Sequence, residues 1–410
     1  MPATLASPHV VNGPLRQRDS TRRNIRALVA ATFLTRAAGF TYPFLPYLLA
    51  EKGQGSRTIG ITLAAFGLGW LVGSVLWGWL ADGIGRRAAL VTAMVLGTVV
   101  FPLVAWTDRP GALLAAVLAA GILYDAPRPV FTAAIADLAP DGEERAALNA
   151  RRNYTVNVAA AAAGAAGGLL AGPAGIGTLI TLNAAACALS GIIAWHFIDI
   201  PHKGRQARES DSHRDVLRDH RLWLLVLTSL AALTCCASLF SALPLIMADR
   251  GLTVADYAWT QAANAAAVLA MSPLLNRWLT RKGARPQPMT DLLAAGSLML
   301  GVSLVAAALA TNLTGYALAA AAAVPGEVVV FAAAADILNR IAPAESRGVY
   351  AGVWGTTLAV AVIIAPLAAS WALQTGGPLL VATTMAFSAT LGAILCRPLA
   401  VAVKGRSAAS

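Results

Sequence analysis

Charge is scarce in this chain. Only 12% of its 410 residues are Asp, Glu, Lys or Arg, against roughly a quarter in soluble domains. That shortage excludes an ordinary water-exposed surface. Cysteine is scarce too. Cys187, Cys235, Cys236 and Cys396 all lie within apolar runs, so neither a disulfide framework nor a zinc site is expected, and small packing residues are the simpler reading. No phosphate loop of the form Gly-x-x-x-x-Gly-Lys-Ser/Thr occurs, which argues against ATP-driven transport. The first twenty residues lack the apolar core and cleavage site of a signal peptide, and residues 1–21 are expected to form a cytoplasmic tail. No cofactor, no metal and no enzymatic activity are expected.

Apolar residues fill the space that charge leaves. They make up 57% of the chain, and the mean hydropathy is +0.65. A membrane-crossing helix needs about 20 apolar residues. Twelve runs qualify: 25–49, 58–80, 88–106, 111–136, 153–172, 176–198, 222–247, 254–276, 289–310, 312–338, 349–372 and 378–399. The expected fold class is an all-α polytopic membrane protein with twelve transmembrane helices. The net charge of +11 invites a nucleic-acid reading, but its placement argues otherwise. With the N-terminus inside, 25 of the 31 Lys and Arg fall on inside segments. Only Lys52, Arg57, Arg109 and Arg250 fall outside, and Arg36 and Arg128 lie within spans. This alternation places both termini in the cytoplasm. The partners expected are a small-molecule substrate, protons and the lipid bilayer of the cell membrane, with no nucleic acid, around a monomer.

The stretch from Gly78 to Arg87 joins two runs, Ile59 to Leu80 and Ala88 to Trp106, that carry no charge. Into this short connection are packed Asp82, Gly83, Gly85, Arg86 and Arg87. The glycines permit a tight turn. Asp82 accepts hydrogen bonds from nearby backbone or arginine donors. The pattern G-x-L-A-D-x-x-G-R-R resembles the signature of the major facilitator superfamily, in the loop between its second and third helices. That resemblance implies two six-helix bundles, 22–199 and 222–400, around a central cavity. They would be joined by a cytoplasmic linker at 200–221, with a short tail at 401–410. It also implies that the loop motif, with Gly78, Asp82, Gly85, Arg86 and Arg87, latches the inward-facing gate. Asp137, at the inner end of the fourth span, is expected to join it.

The halves read as weak repeats. Trp79-Leu80 matches Trp278-Leu279 at an offset of 199. Leu138-Ala139-Pro140 with Arg145 matches Ile341-Ala342-Pro343 with Arg347 at an offset of 203. The second loop carries Arg281 where the first carries Asp82, so the main charge network is expected in the N-terminal half.

Charged residues inside a span cost free energy and usually face a cavity or a partner. Here they are Arg36, Asp125, Arg128, Glu327 and Asp336. Asp125 precedes Arg128 by three residues and can pair with it on one helix face. Glu327 follows Arg128 at the same offset of 199, so the two are expected at similar depth in opposite halves. A lone glutamate in an apolar span is a place where a proton is taken up and released. Glu327, with Asp125 and Arg128, is therefore the expected proton-coupling set. Arg36, Tyr42, Tyr124 and Asn157 are the expected cavity residues. The first span, R-x-x-G-F-x-x-P-F-L-P from Arg36 to Pro46, resembles a bacterial efflux-type branch of the superfamily. The fifth span has Ala163-Gly164 where antiporters of the superfamily carry Gly-Pro. The expected function is proton-coupled export of small amphipathic molecules or drugs by alternating access. The alternatives are a symporter or facilitator importing a metabolite, and a non-transporting membrane scaffold or sensor.

Overall fold

The computed structural model describes residues 13–139, 142–200, 216–283, 287–343 and 346–407, and every described element is helical. Expectations that rest on 1–12, 201–215, 284–286 and 408–410, including most of the linker with His202 and His213, lie outside the described residues. The helices are α1 (Gly13–Ala37), α2 (Thr41–Glu51), α3 (Ser56–Ile84), α4 (Arg86–Trp106), α5 (Pro110–Tyr124), α6 (Pro127–Leu138), α7 (Gly142–Ala174) and α8 (Ile176–Phe197). They continue with α9 (His220–Ser238), α10 (Ala242–Asp249), α11 (Val254–Gly283), α12 (Thr290–Leu309), α13 (Leu313–Ile341), α14 (Arg347–Gly355) and α15 (Thr357–Ser407).

Proline sets three of the breaks. A proline ring collides with the carbonyl four residues back and offers no N–H. Pro43 aims at Gly39, and α1 and α2 part at residues 38–40. Pro129 aims at Asp125, and α5 and α6 part there. Pro244 aims at Phe240, and α9 and α10 part at 239–241. The carbonyls freed at these breaks find side-chain donors, as buried backbone in a membrane requires. Gly39 accepts from the Tyr124 hydroxyl at 3.3 Å. Leu239 accepts from Tyr257 at 3.2 Å and Gln261 at 3.4 Å. In α15 the backbone leaves helical geometry at Gly376 and Gly377.

Among the described residues, nine helical stretches are long and apolar enough to cross a membrane. The class is thus an all-α, multi-pass membrane protein. One of the nine, Arg347–Val403, is 57 residues long and contains the Gly376–Gly377 break, more than one crossing at about 1.5 Å per residue. Two expected spans are not among the nine. The first carries Arg36, Pro43 and Pro46 about its break, and α11 carries Gln261, Asn264 and Asn276 among its alanines.

Helices α1–α8 pack among themselves, as do α9–α15, and the two groups meet where α3 packs on α15, α7 on α11 and α2 on α10. Small residues allow the closest approaches. A Cβ on Gly69 would stand 2.1 Å from the Leu118 carbonyl, and one on Gly121 would stand 2.1 Å from that of Phe66, so α3 and α5 touch backbone to backbone.

The end of the bundle carrying the α3–α4 joint is called here the loop end, and the opposite one the far end. The contacts between the two groups sit toward the far end. Gly60 approaches Ser370 and Gly67 approaches Ile363. Gly164 approaches Ala262, and Phe44 packs edge-on to Tyr257 at 5.9 Å. The Tyr47 hydroxyl reaches the Leu252 carbonyl at 3.4 Å.

Candidate functional site

Beside the breaks in α1/α2 and α5/α6, between the two groups of helices, lies a cavity of about 240 Å³. One wall carries Arg36, Tyr42, Trp70 and Tyr124, with Val156, Ala160 and Gly164 along α7. The other carries Cys236, Phe240, Gln261, Asn264, Glu327 and Phe331. Tyr42 is the aromatic centre. Its ring lies 5.1 Å from Phe66, 5.8 Å from Trp70 and 5.8 Å from Phe240 across the cavity. Its hydroxyl is buried without a partner among the described residues.

Asp125, only 3% exposed, is the electrostatic hub of the first wall. Its Oδ1 accepts from Arg36 Nη2. Its Oδ2 lies 2.5 Å from Arg128 Nε and accepts from Trp70 Nε1 at 3.0 Å. The break after Tyr124 lets one carboxylate reach donors from α1, α3 and α6 at once. Such a buried charge persists only because each oxygen is engaged. Arg36 also lies over the Tyr124 ring at 5.7 Å.

Glu327 lies on the opposite wall, half-buried, on the same side of the cavity as Cys236. It shares the cavity with Arg36. Arg128, expected to oppose it, is turned to Asp125 and is not among the lining residues. Asn157 is not a lining residue either: Val156 takes that place. One residue along a helix is a turn of about 100°, enough to leave the cavity. Trp70, Cys236, Gln261 and Asn264 were not singled out by the sequence. Their only signal is polar or aromatic chemistry inside an apolar run.

At the loop end, α3 and α4 are joined by Gly85 alone, at φ 92 and ψ 156. That region is essentially reserved for glycine. Gly83, by contrast, lies within α3, so only one of the two motif glycines makes the turn. A Cβ at Gly78 would meet only Pro129, at 3.9 Å. Arg86 bridges two carboxylates. Its Nη1 donates to Asp82 at 2.5 Å and its Nε to Asp137 at 3.0 Å. Arg87 donates to the Trp195 carbonyl and lies over the Trp195 ring at 4.9 Å. In the second group, Arg340 bonds Asp336 at 2.9 Å, and Asp336 accepts from the Met289 amide at 3.2 Å. Asp137 and Asp336 thus hold matching places at the ends of α6 and α13.

No sequence among the curated proteins matches this chain. Solved structures do, at low identity. A POT family transporter in complex with a thioalcohol-conjugated peptide superposes with a TM-score of 0.78 at 14% identity, over 92% of this chain and 96% of that one. The human organic anion transporter MFSD10 (TETRAN) gives 0.68 at 16% identity, over 92% and 99%. A bacterial homolog of the human lysosomal transporter Spinster, inward-facing and unoccupied, gives 0.70 at 16% identity, over 94% and 97%. These likenesses concern the fold. The family model described as Major Facilitator Superfamily matches residues 28–366, and with the Gly85 joint and the broken helices around one cavity in view, the chain belongs to the major facilitator superfamily.

Proposed function

We propose that this chain is a secondary active transporter that exports small amphipathic molecules in exchange for protons, by rocking its two bundles, 22–199 and 222–400, about the central cavity. The observation that carries the reading is the shared cavity itself. It is apolar over most of its wall, carries Arg36 and Glu327 on opposite sides, and is sealed toward the far end by contacts between the two groups. Most of these contacts are between small or apolar residues, with the long Tyr47–Leu252 hydrogen bond beside them, so separation breaks little polar bonding, which suits a gate. In the membrane, the loop end faces the cytoplasm, as the positive-inside distribution requires, and the cavity then serves the cytoplasmic side in this arrangement. Glu327 is the proton carrier and the Asp82–Arg86–Asp137 network belongs to the gate. The second reading is a symporter or facilitator. It is favoured by α7, which runs unbroken through Ala163–Gly168 where antiporters carry a proline. Counterflow in proteoliposomes, followed by accumulation under an imposed pH gradient of either sign, separates the two. Substrate accumulating on the proton-rich side supports export in exchange for protons, movement in the same direction as the protons supports symport, and no exchange at all sinks both.

A further inference from the structure

The arginine wall holds more positive charge than it neutralises. Arg36, Arg128 and Arg152 stand within electrostatic reach of one another and of a single carboxylate, Asp125. Asp125 is committed to Arg36, Arg128 and Trp70. That leaves Arg152, whose Nε is buried with no hydrogen-bond partner among the described residues. Arg152 lies on α7 one helical turn before Val156, and residues 152, 156, 160 and 164 form one stripe at four-residue spacing. The last three of them line the cavity. The stripe therefore carries Arg152 to the loop-end mouth of the same cavity. A half-buried guanidinium whose Nε finds no acceptor, with two like charges nearby and one already committed carboxylate, is costly. A protein that retains one in an otherwise satisfied cluster has a use for it.

We infer that the transported molecule is an organic anion, whose carboxylate or equivalent group docks between Arg152 and Arg36 while its apolar body lies against Phe240 and Phe331. Guanidinium groups pair with carboxylates through two parallel hydrogen bonds, and the apolar lining accounts for the rest of an amphipathic solute. This rests on the transporter reading and sharpens it, because the same apolar cavity without Arg152 would suit a neutral or cationic compound equally.

The test uses three compounds with one body and different heads: phenylpropionate, phenylpropylamine and phenylpropanol. Binding to the purified full chain is followed by thermal shift. Phenylpropionate should bind at least tenfold more tightly than the other two, equivalent to about 1.4 kcal/mol. Arg152→Gln should remove that preference, and Arg152→Lys should restore part of it. In the empty protein, Arg152→Gln should melt no lower than the wild type, since it removes an unpaired buried Nε and the third positive charge of the cluster; a purely structural arginine would give the opposite. Equal or tighter binding of the amine or alcohol, no binding of any of the three at millimolar concentration, or a phenylpropionate preference that survives Arg152→Gln would each overturn the inference. If the glutamine variant fails to fold, the lysine variant decides, because it must bind phenylpropionate more weakly than wild type. Anion binding without counterflow would sink the transporter reading and leave the anion site standing; counterflow of the amine without anion preference would sink this inference alone.

Discussion

The hydroxyl of Tyr124 donates to the carbonyl of Gly39 at 3.3 Å, so two broken helices touch at their breaks. Gly39 is the residue that the Pro43 ring would strike in a continuous helix, and Tyr124 is the last residue of α5. The bond satisfies a backbone oxygen where the chain cannot satisfy itself. Tyr124→Phe keeps the ring under Arg36 and removes the hydroxyl that serves Gly39. It should destabilise the protein by about 1 kcal/mol, read as a lowered melting temperature by tryptophan fluorescence. A melting curve identical to wild type would mean that water or another donor serves Gly39.

Arg86 should matter more than either of its carboxylates. Asp82 is 46% exposed and Asp137 is 18% exposed, so losing one leaves the other bond intact. Asp82→Asn should cost about 1 kcal/mol or less and slow transport without loss of expression. Arg86→Met leaves two carboxylates facing each other and should cost more than both single acid changes. Pairing Arg86→Met with Asp137→Asn should recover part of that loss. A double variant no better than Arg86→Met would show that the network is not the source of the effect.

Glu327→Gln separates coupling from binding. The amide fills the same space on the cavity wall but carries no proton. Uptake driven by a pH gradient into inverted vesicles should disappear, while substrate-for-substrate exchange persists within a few-fold. Gradient-driven accumulation at the wild-type level would make Glu327 structural. Asp125, the remaining candidate, is already bound to two arginines.

Asp219 gives a pH signature outside the membrane. Burial pushes its pKa up, but hydrogen bonds from Arg221 and Tyr350 outweigh that and hold it below the usual carboxylate range. The Tyr350 bond, at 2.7 Å, ties α14 to the start of α9. A pKa depressed by folding stabilises the protein fully above the unfolded value, about 3.9, and the gain fades as pH falls through the folded value. Tyr350→Phe should therefore melt lower than wild type at neutral pH, with the gap narrowing in acid. A gap that stays constant on acidification would assign the loss to packing instead.

What the sequence made legible was local. The charges of Asp82, Arg86 and Arg87 announce themselves against apolar flanks; Pro43, Pro129 and Pro244 stand four residues after the breaks, but Pro102, Pro325 and Pro366 stand inside unbroken helices, so proline alone does not mark a break. The Asp125–Arg128 pair follows from helical spacing. Arg36 and Trp70 come to the same carboxylate only through the packing of α1 and α3 beside the α5–α6 break, which no local pattern encodes. Helical register explains the rest. Asn157 attracts attention as a polar residue in a span, yet the stripe that faces the cavity runs through Val156, Ala160 and Gly164, and Arg152, one turn before Val156, reads in sequence as one more loop-end arginine.

The single-residue joint at Gly85 leaves no slack between α3 and α4, and this constrains where the chain tolerates changes in length. One residue added to α3 between Gly60 and Ile84 turns everything before it by about 100° relative to Arg86. The glycines that meet α5 and α15 would then point elsewhere, and side chains would be driven into the Leu118 and Ile122 carbonyls of α5. Insertions at residues 53–55, beyond the far end of α3, carry no such penalty: a Cβ at Gly53 or Gly55 meets nothing within 4 Å. Variants of this chain that differ in length should accept changes at the far-end turn and refuse them across the thirty residues that follow.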